Sequence, residues 1–196
     1  MVGLTPRMTQ RNLVGADMRL RSADADDALS LIAWCDSQET WRRWADLDLA
    51  WPLSEGAVAD MLTDTNSRFW IGVSADHPVG VLGISDINQQ QRRAMLRHIL
   101  VAPEMRGQGI GAAMTSQLLD QLFGTNEVAD GGLHRVSAEV VAGNEASIAM
   151  FHRLGFTQEG IFRQSHRRDD GTWDDVFMFG LLDREWHGVA HQASSQ

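Results

Sequence analysis

Apolar positions along the chain switch between a period of two and a period near three and a half, and the switches mark the elements. Met18-Arg19-Leu20 alternates as a short strand, and Asp24, Asp26 and Asp27 then supply the negative charge that favours a first helical turn. Ala28, Leu31, Ile32 and Cys35 follow at helical spacing, and a tryptophan-rich stretch at 41–51 reads as a connector. Ser54 is placed as an N-cap, with Leu53 and Val58 as a hydrophobic staple and Ala57, Val58, Met61 and Leu62 as the stripe behind it. Phe69, Ile71 and Val73 alternate. Asp76-His77-Pro78 reads as a turn, so 79–87 returns as the second arm of a hairpin.

A strand at 94–101 stops before Pro103, a helix occupies about 109–123, and a strand follows at 136–141. A helix over 144–154 is capped by Asn144 and closed by Gly155 and Phe156 as a C′ glycine and an apolar C″ contact. Strands at 156–163 and 173–181 flank the Asp170-Gly171 turn. The order is strand, two helices, three strands, helix, strand, helix, two strands. That is an α/β fold with a mixed sheet in one domain, 17–186, between a loose extension at 1–16 and a polar tail at 187–196.

Composition narrows the class. With 43% apolar and 22% charged residues in 196, the chain can bury a globular core. Seventeen basic against 26 acidic side chains give a net charge of −9, which argues against a nucleic-acid partner and leans toward a cationic or amine ligand. Cys35 is the sole cysteine, so an internal disulfide is excluded and a reducing, cytoplasmic setting is expected. No apolar run approaches the ~20 residues of a membrane span, and residues 1–16 lack a secretory h-region. His77, His134, His152, His187 and His191 show no metal-ligand spacing, so no metal is expected.

The most informative segment is Val101-Ala-Pro-Glu-Met-Arg106-Gly107-Gln108-Gly109-Ile110-Gly111-Ala112. A strand ends at a proline, three glycines arrive at alternate positions, and a helix begins. Glycine lets the backbone approach an anion closely, and the first amides of the helix point at it. Arg106 adds a cation at the same mouth, so the pattern calls for a phosphate or pyrophosphate. A plain glycine-rich turn is the simpler alternative. Dinucleotide binding is another, because Gly107, Gly109 and Ala112 also satisfy G-x-G-x-x-A, with Glu127 and Asp130 near the distance of a ribose-binding acid. The motif's place past mid-chain, after antiparallel-looking strands, counts against it.

Arg106-x-x-Gly109-x-Gly111 after a Val-x-Pro strand end resembles the acyl-CoA loop of the GNAT superfamily of N-acyltransferases. Asn144-Glu-Ala-Ser147-Ile-Ala-Met-Phe151-His-Arg-Leu154-Gly155-Phe156 resembles that superfamily's next helical block. The stretch 159–163 with 170–176 is similar to the RimJ/RimL-like branch, which acetylates protein N-terminal and small-molecule amines. The resemblance implies a mostly antiparallel twisted sheet of six to seven strands with about four helices, whose fourth and fifth strands splay apart.

It also implies that acetyl-CoA is the co-substrate. Its pantetheine arm would pair with Ile99, Leu100 and Val101, and its pyrophosphate would sit on Arg106, Gly107, Gln108, Gly109, Ile110, Gly111 and Ala112. Asn144 and Phe151 would border it, and the Val101 amide would polarise the thioester. The acceptor would be a small-molecule or peptide amine, and a homodimer is compatible with the final strands.

Amine attack needs a proton acceptor, and an acid can serve the departing thiolate. The family's frequent tyrosine falls where Phe151 stands, and the chain has no tyrosine. Ser147, one turn earlier, is the substitute the resemblance suggests; an ordinary first-turn serine is the alternative. His98 and Glu139 are the candidate bases, each also readable as a structural or solvated strand residue, with Asp86 third. Cys35 reads as a buried thiol rather than an acyl carrier. Arg163, His166, Arg167 and Arg168 read either as contacts to an acidic group or as a solvated hairpin tip balanced by Asp169 and Asp170. Trp34, Trp41, Trp44 and Trp51 read as core or as acceptor-pocket lining. Two further classes remain: a non-catalytic acyl-CoA-binding module and a nucleotide-dependent oxidoreductase.

Overall fold

The computed structural model describes residues 18–45, 49–124, 128–168 and 170–188. The expected extension at 1–16, the tail beyond residue 188, Glu127 and Asp169 lie outside the described residues. Seven strands form one sheet: β1 Arg19–Ser22, β2 Arg68–Ser74, β3 His77–Asn88, β4 Arg93–Val101, β5 Arg135–Val141, β6 Thr157–Arg167 and β7 Trp173–Leu182. Their order across the sheet is β1-β2-β3-β4-β5-β7-β6. Every neighbouring pair is antiparallel except β4 with β5. A doubly wound dinucleotide fold needs a mostly parallel sheet, so the oxidoreductase alternative falls here.

The helices are α1 Ala28–Trp34, α2 Gln38–Ala45, α3 Glu55–Leu62, α4 Ile110–Phe123 and α5 Glu145–Arg153. That makes five among the described residues, where the sequence predicts about four. The extra one is α2, which occupies the start of the supposed connector. Trp41 and Trp44 stand at helical spacing, but eight residues are too few for a helix that is stable by itself, and tertiary contacts hold it. Trp41 and Trp44 are buried, with their indole N–H groups donating to the carbonyls of Leu49 (2.9 Å) and His98 (3.0 Å).

Two cores flank the sheet. One gathers α4 and α5 against Leu82, Leu96, Ala138 and Phe179; the other gathers α1, α2 and α3 against Ile71, Val73, Val81 and Leu100. Val81 and Leu82 enter opposite cores, as alternate strand residues must. The β2–β3 turn is Ala75-Asp76, with φ of 47° and 61°, rather than Asp76-His77-Pro78. Two left-handed residues match the twist of the flanking strands. Pro78 therefore lies inside β3, ahead of Gly80 where pairing with β4 begins, so its missing N–H removes no bond to that strand.

The acidic cluster at the start of α1 does more than complement a dipole. Asp24 caps the turn, accepting from the Asp26 N–H (3.0 Å). Asp27 is buried and accepts from both Arg21 guanidinium nitrogens (2.7 and 2.6 Å) and from the Asp24 N–H (3.0 Å). Burial opposes its ionisation, but these hydrogen bonds outweigh it and hold the carboxyl below the usual aspartate range. Asp27→Asn is expected to lower the unfolding free energy by about 2 kcal/mol at neutral pH, read by denaturant titration. The folded carboxyl titrates below the unfolded one, so the wild-type advantage is full above pH of about 4. It should vanish as pH falls through the folded value.

Candidate active site

The β4–β5 ladder runs from Arg93↔Arg135 to Leu96↔Ala138 and stops there, although β4 continues to Val101 and β5 to Val141. The cause lies on the other side of β4. Val81 pairs with Leu100 and Gly83 with Arg97, so three steps of β4 face two of β3. The extra residue is a bulge at His98, whose φ is 57°. A bulge bends its strand, and here it carries the end of β4 away from β5. The resulting cleft has a volume of about 620 Å³, within the usual range of small-molecule sites.

His98, Ile99, Leu100, Val101, Arg106, Glu139, Asn144, Ser147 and Phe151, all singled out in the sequence, line this one cleft. Because the Ala102 N–H bonds across to the Val79 carbonyl (2.9 Å), the Val101 N–H points to the opposite edge, into the opening. Asn144 caps α5 and accepts from the Ser147 N–H (3.4 Å). Phe151 is buried, 5.6 Å from Phe179 between ring centroids and nearly parallel to it, with Phe156 at 4.9 Å. An aromatic ring without a hydroxyl therefore floors the cleft.

Gly107, Gln108, Gly109, Ile110, Gly111 and Ala112 do not line the cleft but form the turn and first residues of α4 beyond Val101. Gly107 and Gly109 have φ of 73° and 84°, and a Cβ on either would meet nothing within 4 Å. The Met105 and Arg106 amides are spent on the Ala102 and Pro103 carbonyls, and the next bonded amide is that of Ala113, to Gly109. Among the described residues none accepts a hydrogen bond from the amides of 107–112. Unpaired donors at the start of a 14-residue helix suit a phosphate group.

Arg106 departs from its expected role. Its amide is already bonded, and its guanidinium turns back to the Val101 carbonyl (3.1 Å), the Asp36 carboxylate (2.9 Å) and the Trp34 carbonyl (2.8 Å). It clasps the glycine loop to the junction of α1 and α2. The hydrogen bond from Thr40, together with Arg106, holds the Asp36 carboxyl below the usual range. Cys35, next to this clasp, is buried, and burial pushes its thiol up to about 11. It does not line the cleft and is unsuited to carry an acyl group.

Register separates the two sides of the cleft. Ala138 and Val140 belong to the core under α4 and α5, so Glu139 between them faces the opposite side, toward α1–α3. It makes no ion pair among the described residues. The His98 ring lies on that side too, packed on Phe69 (5.5 Å) and Trp44 (6.1 Å), with Nδ1 2.8 Å from the Trp44 carbonyl. A carbonyl only accepts, so Nδ1 carries a proton. Asp86 lies 3.8 Å from Arg97, outside the cleft lining.

His166 was not singled out as a cleft residue. In β6 four steps from Phe162 to His166 oppose two in β7, from Val176 to Asp174, with Gln164 at φ 51°. This irregularity turns His166 inward: it is buried, lines the cleft, and neither ring nitrogen has a hydrogen-bond partner. The supposed solvated tip thus holds a buried imidazole, and Arg168 pairs with Asp174 (2.6 Å from Nε) rather than with Asp170. Only the offset between the strands decides this, and the sequence carries no signal for it. Of the tryptophans, Trp34, Trp41 and Trp44 are core, and Trp44 also lines the cleft.

A parallel strand pair that opens at its end, with an amide-lined helix start at the mouth, defines an acyl-transfer class of fold. The chain belongs to the acetyltransferase (GNAT) family, whose sequence model matches residues 28–156. It is 28% identical over 179 residues to the uncharacterised N-acetyltransferase p20 of Bacillus licheniformis, covering 87% of this chain and 96% of that one. It is 32% identical over 109 residues to a ribosomal N-acetyltransferase homologue of Bacillus subtilis, YdaF, covering 56% of each. The structure of Vibrio cholerae spermidine N-acetyltransferase in complex with CoA and spermine is similar in fold, with a TM-score of 0.73 at 19% identity over 87% of this chain and 98% of that one. The chain is thus an N-acetyltransferase, an enzyme that moves an acetyl group to an amine.

Proposed function

We propose that the donor is acetyl-CoA and that transfer is direct, within a ternary complex. The amides of 107–112 hold the pyrophosphate, and Ile99–Val101 with Asn144 and Phe151 border the pantetheine arm. The single observation that carries this is the ladder stopping at Leu96 and Ala138 while β4 runs on to Val101, beyond which the row of unbonded amides begins. Acetyl-CoA supplies the acetyl group as a thioester. The acceptor enters from the α1–α3 side, where Glu139 and His98 lie.

Glu139, the sole carboxylate lining the cleft among the described residues, takes the proton from the attacking amine. The Val101 N–H donates to the carbonyl oxygen as charge develops there. The C–N bond forms as the C–S bond breaks, and the Ser147 hydroxyl gives its proton to the departing sulfur and regains one from solvent. His98, tied to the Trp44 carbonyl, is the second candidate for the proton. The catalytic unit spans 17–186, and the cytosol is its setting.

The test is release of free CoA thiol from acetyl-CoA over a panel of primary amines, with mass spectrometry of the product. Turnover with at least one amine, with the acetyl group on nitrogen, is the expected result. Tight CoA binding without turnover of any amine would favour a binding module instead.

A further inference from the structure

We propose that the acceptor is a zwitterion, an amine that also carries a carboxylate, and that polyamines are poor substrates. This rests on the acetyl-transfer reading above and adds the chemical class of the acceptor. The chain has 26 acidic against 17 basic side chains, yet the cleft reverses that balance. Among the described residues its charged lining is Arg42, Arg43, Arg97, Arg106 and Arg167 against Glu139 alone.

The arginines differ in what they have left to offer. Arg106 is spent on Asp36 and two carbonyls. Arg43 pairs with Glu39 (2.6 Å) and Arg97 approaches Asp86 (3.8 Å); both arginines belong to the cleft lining and neither carboxylate does. Arg167 makes no ion pair among the described residues and stands on the β6 rim beside buried His166.

Position separates this wall from the donor's phosphates. Arg42 and Arg43 ride on α2, which packs into the core under α1–α3, whereas the amides of 107–112 start α4 on the other face of the sheet. Arg42 and Arg43 therefore stand on the acceptor's side, and Arg167 lines the same cleft. Glu139 can hold an ammonium and release it as an amine, and an arginine wall across the cleft can hold a carboxylate in a charge-assisted, bidentate manner. A polyamine needs several carboxylates along its length, and the described residues of the cleft supply one. Likeness of fold to a spermidine N-acetyltransferase does not carry that acceptor over.

Two sources offer this chemistry, a free amino acid and a peptide that begins with an acidic residue. The experiment measures kcat/KM of the full chain with acetyl-CoA for glutamate against its diamide, for peptides beginning Asp-Asp against Asn-Asn, and for spermidine. At least one acid is expected to exceed its amide by tenfold or more, the gap narrowing with added salt, and the better pair identifies the source. Spermidine is expected to fall below both acids. Arg167→Glu is expected to raise the acceptor KM at least tenfold with the CoA dissociation constant unchanged within twofold, and Arg167→Gln to give a smaller rise; circular dichroism checks that both fold. Amides equal to their acids, a preference for spermidine, or a variant that weakens CoA binding while sparing the acceptor KM each overturns the zwitterion while leaving acetyl transfer standing. No turnover of any amine overturns the acetyltransferase reading, and the inference with it.

Discussion

Gly109→Val is expected to raise the dissociation constant of CoA by at least ~100-fold in titration calorimetry, with the melting temperature within a few degrees of wild type. Gly109 has φ of 84°, where a β-branched side chain is strained by about 1–2 kcal/mol. That strain is local to an exposed turn and small beside the stability of a domain of this size. The larger effect is on the ligand. A Cβ at Gly109 meets no protein atom within 4 Å, so a valine there fills open space on the approach to the amides. An anion kept even 1 Å further from a row of donors loses their hydrogen bonds, which need a heavy-atom separation of about 3 Å. Wild-type affinity in Gly109→Val would remove the amide cradle from the mechanism.

Glu139→Gln is expected to lower kcat about 10²-fold while leaving CoA affinity unchanged. Glutamine keeps the shape and one acceptor oxygen but cannot take a proton at neutral pH. Glu139 is exposed to the cleft, so its charge is not needed for folding. The companion His98→Gln separates the two candidates. His98 sits at the bulge with its ring against Phe69 and Trp44, and its replacement is expected to cost stability first. Should Glu139→Gln keep full kcat while His98→Gln loses it with normal CoA binding, the proton passes to the imidazole.

Local signals in the chain were legible where a few neighbouring residues decide the outcome. The Asn144 cap, the Gly155 φ of 89° with the Phe156 amide returning to the Phe151 carbonyl (3.0 Å), and the left-handed Gly109 before α4 depend on contacts within a handful of residues. Helix α2 was not legible, because its stability comes from indoles reaching Leu49 and His98. The partners of Arg106 were not legible for the same kind of reason. Its position beside the glycines matched a phosphate ligand, but its guanidinium found Asp36 and Trp34, about 70 residues earlier in the chain.

The net charge of −9 suggested a cationic guest, yet the lining of the cleft is rich in arginine. Net charge is a sum over the whole surface, and recognition depends on the few groups that face inward.

By itself the sequence determined the order of the strands and of every helix but α2, the glycine loop at the end of β4 and the set of polar residues available for chemistry, because capping, turn and period are local properties of the backbone. Only the tertiary structure decided which faces those residues share. The bulge at His98 and the offset in β6 change strand register, a property of two paired strands that neither strand carries alone.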